Sequence, residues 1–242
     1  MTGYKAERLV ILDADGTTID AFDAIGKTFD RHGMNIGDLH RFQKRRNLFK
    51  YLGGLKEFPT NLRRQMGKQK RSRLIATLTE VYREEGRLYD GITALIQTLL
   101  DAPDVLVGMV TRNITLEPEE TLRRLFARHD IDTAELDFLV HIPLKDQKTV
   151  AFREARARYA INPARAYACG DEGKDFLAAV TSGFHPFMVS YGFEDFERLT
   201  RKLGVPVDVI SRTPDELTHR LLHALDLPLP GLAATVPDTQ AL

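Results

Sequence analysis

Cysteine occurs once in the 242 residues, at Cys169, which excludes an internal disulfide framework and any zinc site built from several cysteines. There is no excess charge of either sign: 34 Lys and Arg balance 34 Asp and Glu. The whole molecule therefore advertises no preference for nucleic acid or for a membrane surface, and only a local concentration of charge could do so. Long apolar runs are missing too. The chain opens MTGYKAERLVIL and reaches Asp13 after four consecutive apolar residues, and no later run is long enough to span a bilayer. Neither a signal peptide nor a membrane span is expected, and a cytoplasmic location is the default expectation. Internal repeats and low-complexity tracts are absent as well.

What is present is a series of short apolar runs: LVIL at 9–12, VLVGMV at 105–110, FLV at 138–140, AYAC at 166–169, FMV at 187–189 and VDVI at 207–210. Between them lie stretches with helical spacing, such as Leu122, Leu125 and Phe126, or Leu177, Ala178 and Val180. Strands without polar alternation, separated by amphipathic helices, predict a parallel sheet covered on both faces, which is a doubly wound, Rossmann-like α/β core. Residues 20–104 are far too many for one crossover helix. They hold Phe22, Ile25 and Phe29 on one helical face, a basic middle section, and a second helical run with Leu74, Ile75, Leu78, Val81 and Tyr82 at three-to-four spacing. The expected organisation is a core of residues 1–19 and 88–228, an inserted all-helical domain at 20–87, and a flexible tail at 229–242.

In open α/β sheets, ligands bind beyond the carboxyl ends of the strands, so the residues that follow each apolar run carry the information. LVIL is followed by Asp13, Ala14, Asp15, Gly16 and Thr17, VLVGMV by Thr111, and AYAC by Gly170 and Asp171, with Asp175 four residues later. Lys148 stands 23 residues ahead of Asp171 at the start of a helical stretch. Separated segments thus bring two acid clusters, a hydroxyl and an ammonium to one sheet edge.

This set resembles the haloacid dehalogenase superfamily, most of whose members are phosphatases. DADGT is similar to its first motif, the threonine of VGMVTRN to its second, Lys148 to its third and GDEGKD to its fourth. The long helical insertion is where the branch similar to phosphoglycolate phosphatases and β-phosphoglucomutases carries its mobile cap. The resemblance implies a magnesium-dependent phosphatase of a small phosphate monoester, working through an aspartyl-phosphate. Asp13 would be the nucleophile and a metal ligand. Asp15 would protonate the leaving alkoxide, then take a proton from the hydrolytic water, while its backbone carbonyl joins the metal shell. Asp171 would complete the protein's share of that shell, and Asp175 would either assist it or orient Lys148. Thr111 and Lys148 would hold the phosphoryl oxygens. Magnesium suits such a site because a dianionic ester resists an anionic nucleophile until its charge is neutralised by a hard cation held on oxygen ligands.

Several positions depart from the family pattern or leave alternatives open. Thr18 replaces the usual apolar residue after DGT. Arg112 follows Thr111 where asparagine is frequent, and either adds a second cation to the phosphate site or points away to an acidic partner. Glu172 stands where a small hydroxyl is common. Lys145 is the reserve for Lys148. Gly16 permits a sharp turn, and Asp20 suits the start of the first helix of the insertion. Asp15 argues against a dehalogenase, which has no alkoxide to protonate, and against a phosphonatase, which typically carries alanine there. A phosphomutase or a phosphatase of nucleotides or nucleic-acid ends shares every core motif, and a non-catalytic phosphate- or nucleic-acid-binding module is the rival from another class.

Residues 40–73 carry twelve Lys or Arg against the single acid Glu57, a solvated helical face or a surface that draws in an anionic substrate. Tyr51 and the Gly53-Gly54 pair fall in its middle. His219 and His223 have the spacing of a zinc pair but no neighbouring acid as in metalloproteases, and read as structural. Cys169 reads as a small buried thiol.

Overall fold

The computed structural model describes residues 4–5, 7–34 and 71–230. Five of the apolar runs form strands as the pattern predicts: β1 (Arg8–Leu12), β2 (Val105–Thr111), β3 (Phe138–His141), β4 (Ala166–Gly170) and β5 (His185–Val189). The sixth run does so only at its end. Val207–Val209 wind into a 3-10 turn after Pro206, and β6 (Ile210–Ser211) makes just two pairings with β5. It lies at the sheet edge, where one neighbour suffices, and Val207 is exposed.

All pairings are parallel, in the order β3-β2-β1-β4-β5-β6. The chain builds outward from β1 on one side, then returns to the other side at β4, so the strand order reverses between β1 and β4. That reversal opens a crevice at the carboxyl ends, where the loops leaving the two strands diverge. Seven α-helices are described: α1 (Ala21–Arg31), α2 (Arg71–Glu85), α3 (Ile92–Leu100), α4 (Pro118–Ala127), α5 (Thr149–Arg158), α6 (Gly173–Ser182) and α7 (Pro214–Ala224).

Side chains alternate along a strand, so an uninterrupted apolar run serves two faces at once. Val10 and Leu12 pack with Leu95 of α3, Leu125 of α4 and Leu221 of α7, whereas Leu9 and Ile11 pack with Phe152 of α5 and Ala178 of α6. Each such burial contributes roughly 1.5–3 kcal/mol. The apolar periodicity is misleading at α6. Leu177 and Val180 are 55% and 50% exposed, and the helix turns Ala178, Ala179 and Ser182 inward. Close approach explains this choice: a Cβ on Gly170 would lie 2.8 Å from the Asp175 carboxyl carbon, so only small side chains fit beneath the helix.

Of the expected insertion, residues 20–34 and 71–87 are described. Asp20 caps α1 by accepting the Asp23 N–H at 3.0 Å. Helices α1 and α2 pack on each other, and α2 packs on α4. Phe29, Leu78 and Tyr82 join the same apolar cluster as Leu122 and Leu125. The basic residues 40–70, with Tyr51, Gly53 and Gly54, and residues 231–242 of the expected tail lie outside the described residues. No helix among the described residues is long and apolar enough to cross a membrane.

Candidate active site

The turn that follows β1 builds the site. Its backbone folds back on Ala14, whose carbonyl accepts the N–H groups of Thr18 at 3.0 Å and Ile19 at 2.9 Å. Gly16 sits at φ +81°, in the left-handed region that glycine tolerates. Thr18 supplies what an apolar residue could not: its buried hydroxyl donates to the Asp13 carbonyl at 3.1 Å or the Ala14 carbonyl at 3.0 Å. The turn is also braced from outside. Tyr191 donates its hydroxyl to the Thr17 carbonyl at 3.0 Å, and the Phe193 ring meets Phe22 of α1 edge-on at 5.1 Å.

Asp13 is anchored to β4 by its N–H, which donates to the Cys169 carbonyl at 3.1 Å. One of its carboxylate oxygens accepts the Ala14 N–H at 2.8 Å, and the other lies 2.6 Å from the Lys148 ammonium. Lys148 also pairs with Asp175 at 3.0 Å. It is buried just ahead of α5, while Lys145 is exposed, so geometry selects Lys148 of the two. The α6 end of the crevice supplies Asp171, whose Oδ2 accepts the Phe193 N–H. Its Oδ1 is buried without a hydrogen-bond partner among the described residues.

Single oxygens of Asp13, Asp171 and Asp175 all lie within 4.8 Å of one another. Three hard carboxylate oxygens at that separation fit a divalent cation. Their protonation shows the cost of placing them together. Burial pushes Asp13 up to about 7 despite the attraction of Lys148. Burial likewise raises Asp171 well above the usual carboxylate range, and the neighbouring Asp13 and Asp175 add to the effect. At Asp175 burial is outweighed by Lys148 and Arg112, which hold its carboxyl below the ordinary value. Lys148 is in turn held charged by Asp13 and Asp175 against the pull of burial.

Arg112 does not reach out to a partner. Its guanidinium pairs with Glu172 at 2.7 Å and approaches Asp175 at 3.7 Å, largely buried at the edge of the acid cluster. Glu172 is thereby occupied as a counter-ion, and its backbone N–H donates to Asp175 Oδ2 at 3.0 Å. Thr111 ends β2 fully buried, and its hydroxyl accepts the Asn113 N–H at 3.2 Å.

The Asp15 carboxylate turns away from the acid cluster. It accepts the Tyr82 hydroxyl at 2.7 Å and the Asn113 amide N–H at 3.0 and 3.1 Å. Burial raises it to about 6, moderated by those two donors. Neither donor is evident in the sequence as a site residue. Tyr82 reads there as one more apolar position of a helix, and Asn113 is given no role. The only available signal is that Tyr82 brings a hydroxyl to a face that is otherwise aliphatic. Cys169 is buried and its thiol is pushed far above its ordinary value by desolvation, which leaves it inert. His219 and His223 are exposed on α7, and neither belongs to the acid group that could hold a metal.

Gly16 offers a direct check on this geometry. A Cβ there would collide with the Asp171 carboxylate and come within 3.1 Å of the Phe193 ring, in a backbone conformation that side chains avoid. Gly16→Ala is expected to lower stability by about 1–3 kcal/mol. Thermal unfolding measures it, and an unchanged midpoint would contradict the tight approach of Asp171 to the turn.

At the level of sequence, no protein-family model and no curated protein matches the chain. Its fold does match solved structures. A haloacid dehalogenase-like family hydrolase from Streptococcus pneumoniae, 18% identical, has a TM-score of 0.58 over 89% of this chain and 98% of that one. A predicted phosphoglycolate phosphatase from Haemophilus somnus, 14% identical, reaches 0.62 over 90% of this chain and all of the other. CbbY from Rhodobacter sphaeroides in complex with phosphate, 18% identical, gives 0.58 over 87% and 96%. The chain therefore has the haloacid dehalogenase-like fold, the architecture that its motifs resemble.

Proposed function

We propose that this protein is a magnesium-dependent phosphatase of small phosphorylated metabolites, with residues 20–87 serving as a helical cap over a core of residues 1–19 and 88–228. The observation that carries the reading is the pairing of Asp13 with Lys148 at 2.6 Å inside a buried acid cluster. A nucleophilic carboxylate needs an adjacent fixed cation to meet a dianionic ester, and the cluster needs a divalent ion to be stable when ionised. The phosphate bound by CbbY and the phosphatase description of the Haemophilus protein support the same chemistry for this fold.

Asp13 attacks phosphorus in line, and the bond to the ester oxygen breaks. Asp15 donates its proton to that oxygen and the alcohol leaves. Asp15, now ionised, accepts a proton from the water that attacks the aspartyl-phosphate, which regenerates Asp13 and releases phosphate. Lys148, Thr111 and Arg112 hold the phosphoryl oxygens. Asp13, Asp171, Asp175 and the Asp15 backbone carbonyl would hold magnesium, which when bound neutralises the charge of the transferring group as a Lewis acid.

The test is phosphate release from an aryl phosphate and from a panel of phosphorylated metabolites, with magnesium and with chelator. Activity that requires the metal is expected. Absence of turnover with every divalent ion tried would overturn the reading.

A further inference from the structure

Resting on the phosphatase reading, we infer that Tyr82 and Asn113 are positioning residues that clamp the Asp15 carboxyl from two sides and leave Oδ2 as the oxygen that carries the transferable proton. The donors come from two separate elements. Tyr82 lies on α2 of the insertion, fully buried, and Asn113 lies on the loop between β2 and α4 of the core.

The two oxygens of Asp15 are not equivalent. Oδ1 accepts both the Tyr82 hydroxyl at 2.7 Å and the Asn113 amide at 3.1 Å, whereas Oδ2 accepts only the Asn113 amide, at 3.0 Å. A carboxyl oxygen with two donors aimed at it has no room for a third proton. The acidic hydrogen is therefore directed to Oδ2. From there it moves to the ester oxygen as the P–O bond breaks, the electron pair of that bond staying on the ester oxygen.

Each donor is itself locked. The side-chain oxygen of Asn113 accepts the Thr115 N–H at 2.8 Å and the Thr115 hydroxyl, which fixes the amide so that its NH2 faces Asp15. Its carbonyl is held by His141 at 2.9 Å. Tyr82 is held by its neighbours on α2. Thr79, on the preceding turn, accepts the Leu116 N–H at 2.9 Å, and Arg83 donates to the Thr121 hydroxyl at 3.0 Å and pairs with Glu117 at 2.9 Å. The stretch from Asn113 to Thr121 thus carries one jaw of the clamp and seats the helix that carries the other. Proton delivery depends on α2 being docked on this loop.

The test compares an alkyl phosphate, whose departing alkoxide needs protonation, with para-nitrophenyl phosphate, whose leaving group does not. In the full chain with magnesium, Tyr82→Phe and, independently, Asn113→Ala are expected to lower kcat for the alkyl ester about tenfold more than for the aryl ester, at little change in the alkyl KM. In an Asp15→Asn background the same substitutions should leave the alkyl-to-aryl ratio unmoved, because the group they position is gone. Equal losses on both esters, or an unchanged ratio in both variants of an active enzyme, would overturn the clamp. Wild-type protein inactive on both esters would instead overturn the phosphatase reading, and the clamp with it. If one variant does not fold, the other decides, since Tyr82 and Asn113 sit on separate elements.

Discussion

Asp13→Asn is expected to lower turnover of an aryl phosphate by roughly three orders of magnitude or more, because the amide cannot form an acyl phosphate at a useful rate. The substitution keeps the shape of the side chain. Its oxygen can still accept the Ala14 N–H that Asp13 accepts at 2.8 Å, so the turn has no reason to open. Lys148 would lose one of its two acid partners but keep Asp175, at 3.0 Å. Burial already disfavours the ionised form of Asp13, which sits near pKa 7. Removing its charge therefore relieves a strained group and does not orphan Lys148. The expected outcome is a dead enzyme with a thermal midpoint close to that of the wild type. Steady-state kinetics beside a melting curve measures both, and an Asp13→Asn enzyme with more than about a tenth of wild-type turnover would exclude Asp13 as the nucleophile.

The second large effect concerns the acid cluster without metal. Asp13 and Asp15 have folded-state values of about 7 and about 6, above the ordinary 3.8, and burial raises Asp171 well above the usual carboxylate range too. Groups with raised values bind protons more tightly in the folded chain than in the unfolded one. The stability they contribute is complete below about pH 4 and is lost as pH rises through the folded values. For Asp13 and Asp15 the loss is on the order of 3–4 kcal/mol each, at 1.36 kcal/mol per unit. In chelator, wild-type protein should therefore lose stability relative to Asp171→Asn as pH rises from about 4.5 to 7.5. Magnesium should reverse that trend for the wild type at pH 7.5 by about 2.7 kcal/mol at a hundred times its dissociation constant, and have little effect at pH 4.5. In Asp171→Asn the magnesium shift should be small at both values. Unfolding curves across this window, with and without metal, give the result. A wild type that gains stability over the variant with rising pH in chelator would show that the acids are not crowded as described.

Much of this molecule is legible in the linear order of residues because the relevant physics is local. LVIL followed at once by Asp13 reads as a buried strand delivering an acid to a sheet edge, and β1 ends at Leu12. Asp20 reads as a helix cap and makes the capping bond. The failures have equally physical causes. Periodicity counts apolar residues but not how near a helix lies to its sheet, so Leu177 and Val180 look like core and are exposed. The VDVI run has β propensity but stands at an edge after Pro206, and three of its four residues turn. Thr18 has no evident task in the sequence, because its task is to bond carbonyls that only the closed turn brings to it.

The sequence by itself determined the doubly wound class, the strand-end acids, and the order of motifs that points to aspartate-based phosphoryl chemistry, since each follows from residues adjacent in the chain. The tertiary structure alone decided which charges meet. It chose Lys148 over Lys145, turned Arg112 inward onto Glu172, and left one oxygen of Asp171 without a hydrogen-bond partner among the described residues. It also brought Tyr82 and Asn113, 67 and 98 residues away in sequence, onto Asp15. Spacing cannot foretell those contacts, because a hydrogen bond requires two groups within about 3 Å, and for residues so far apart only the packing of helices on the sheet sets that distance.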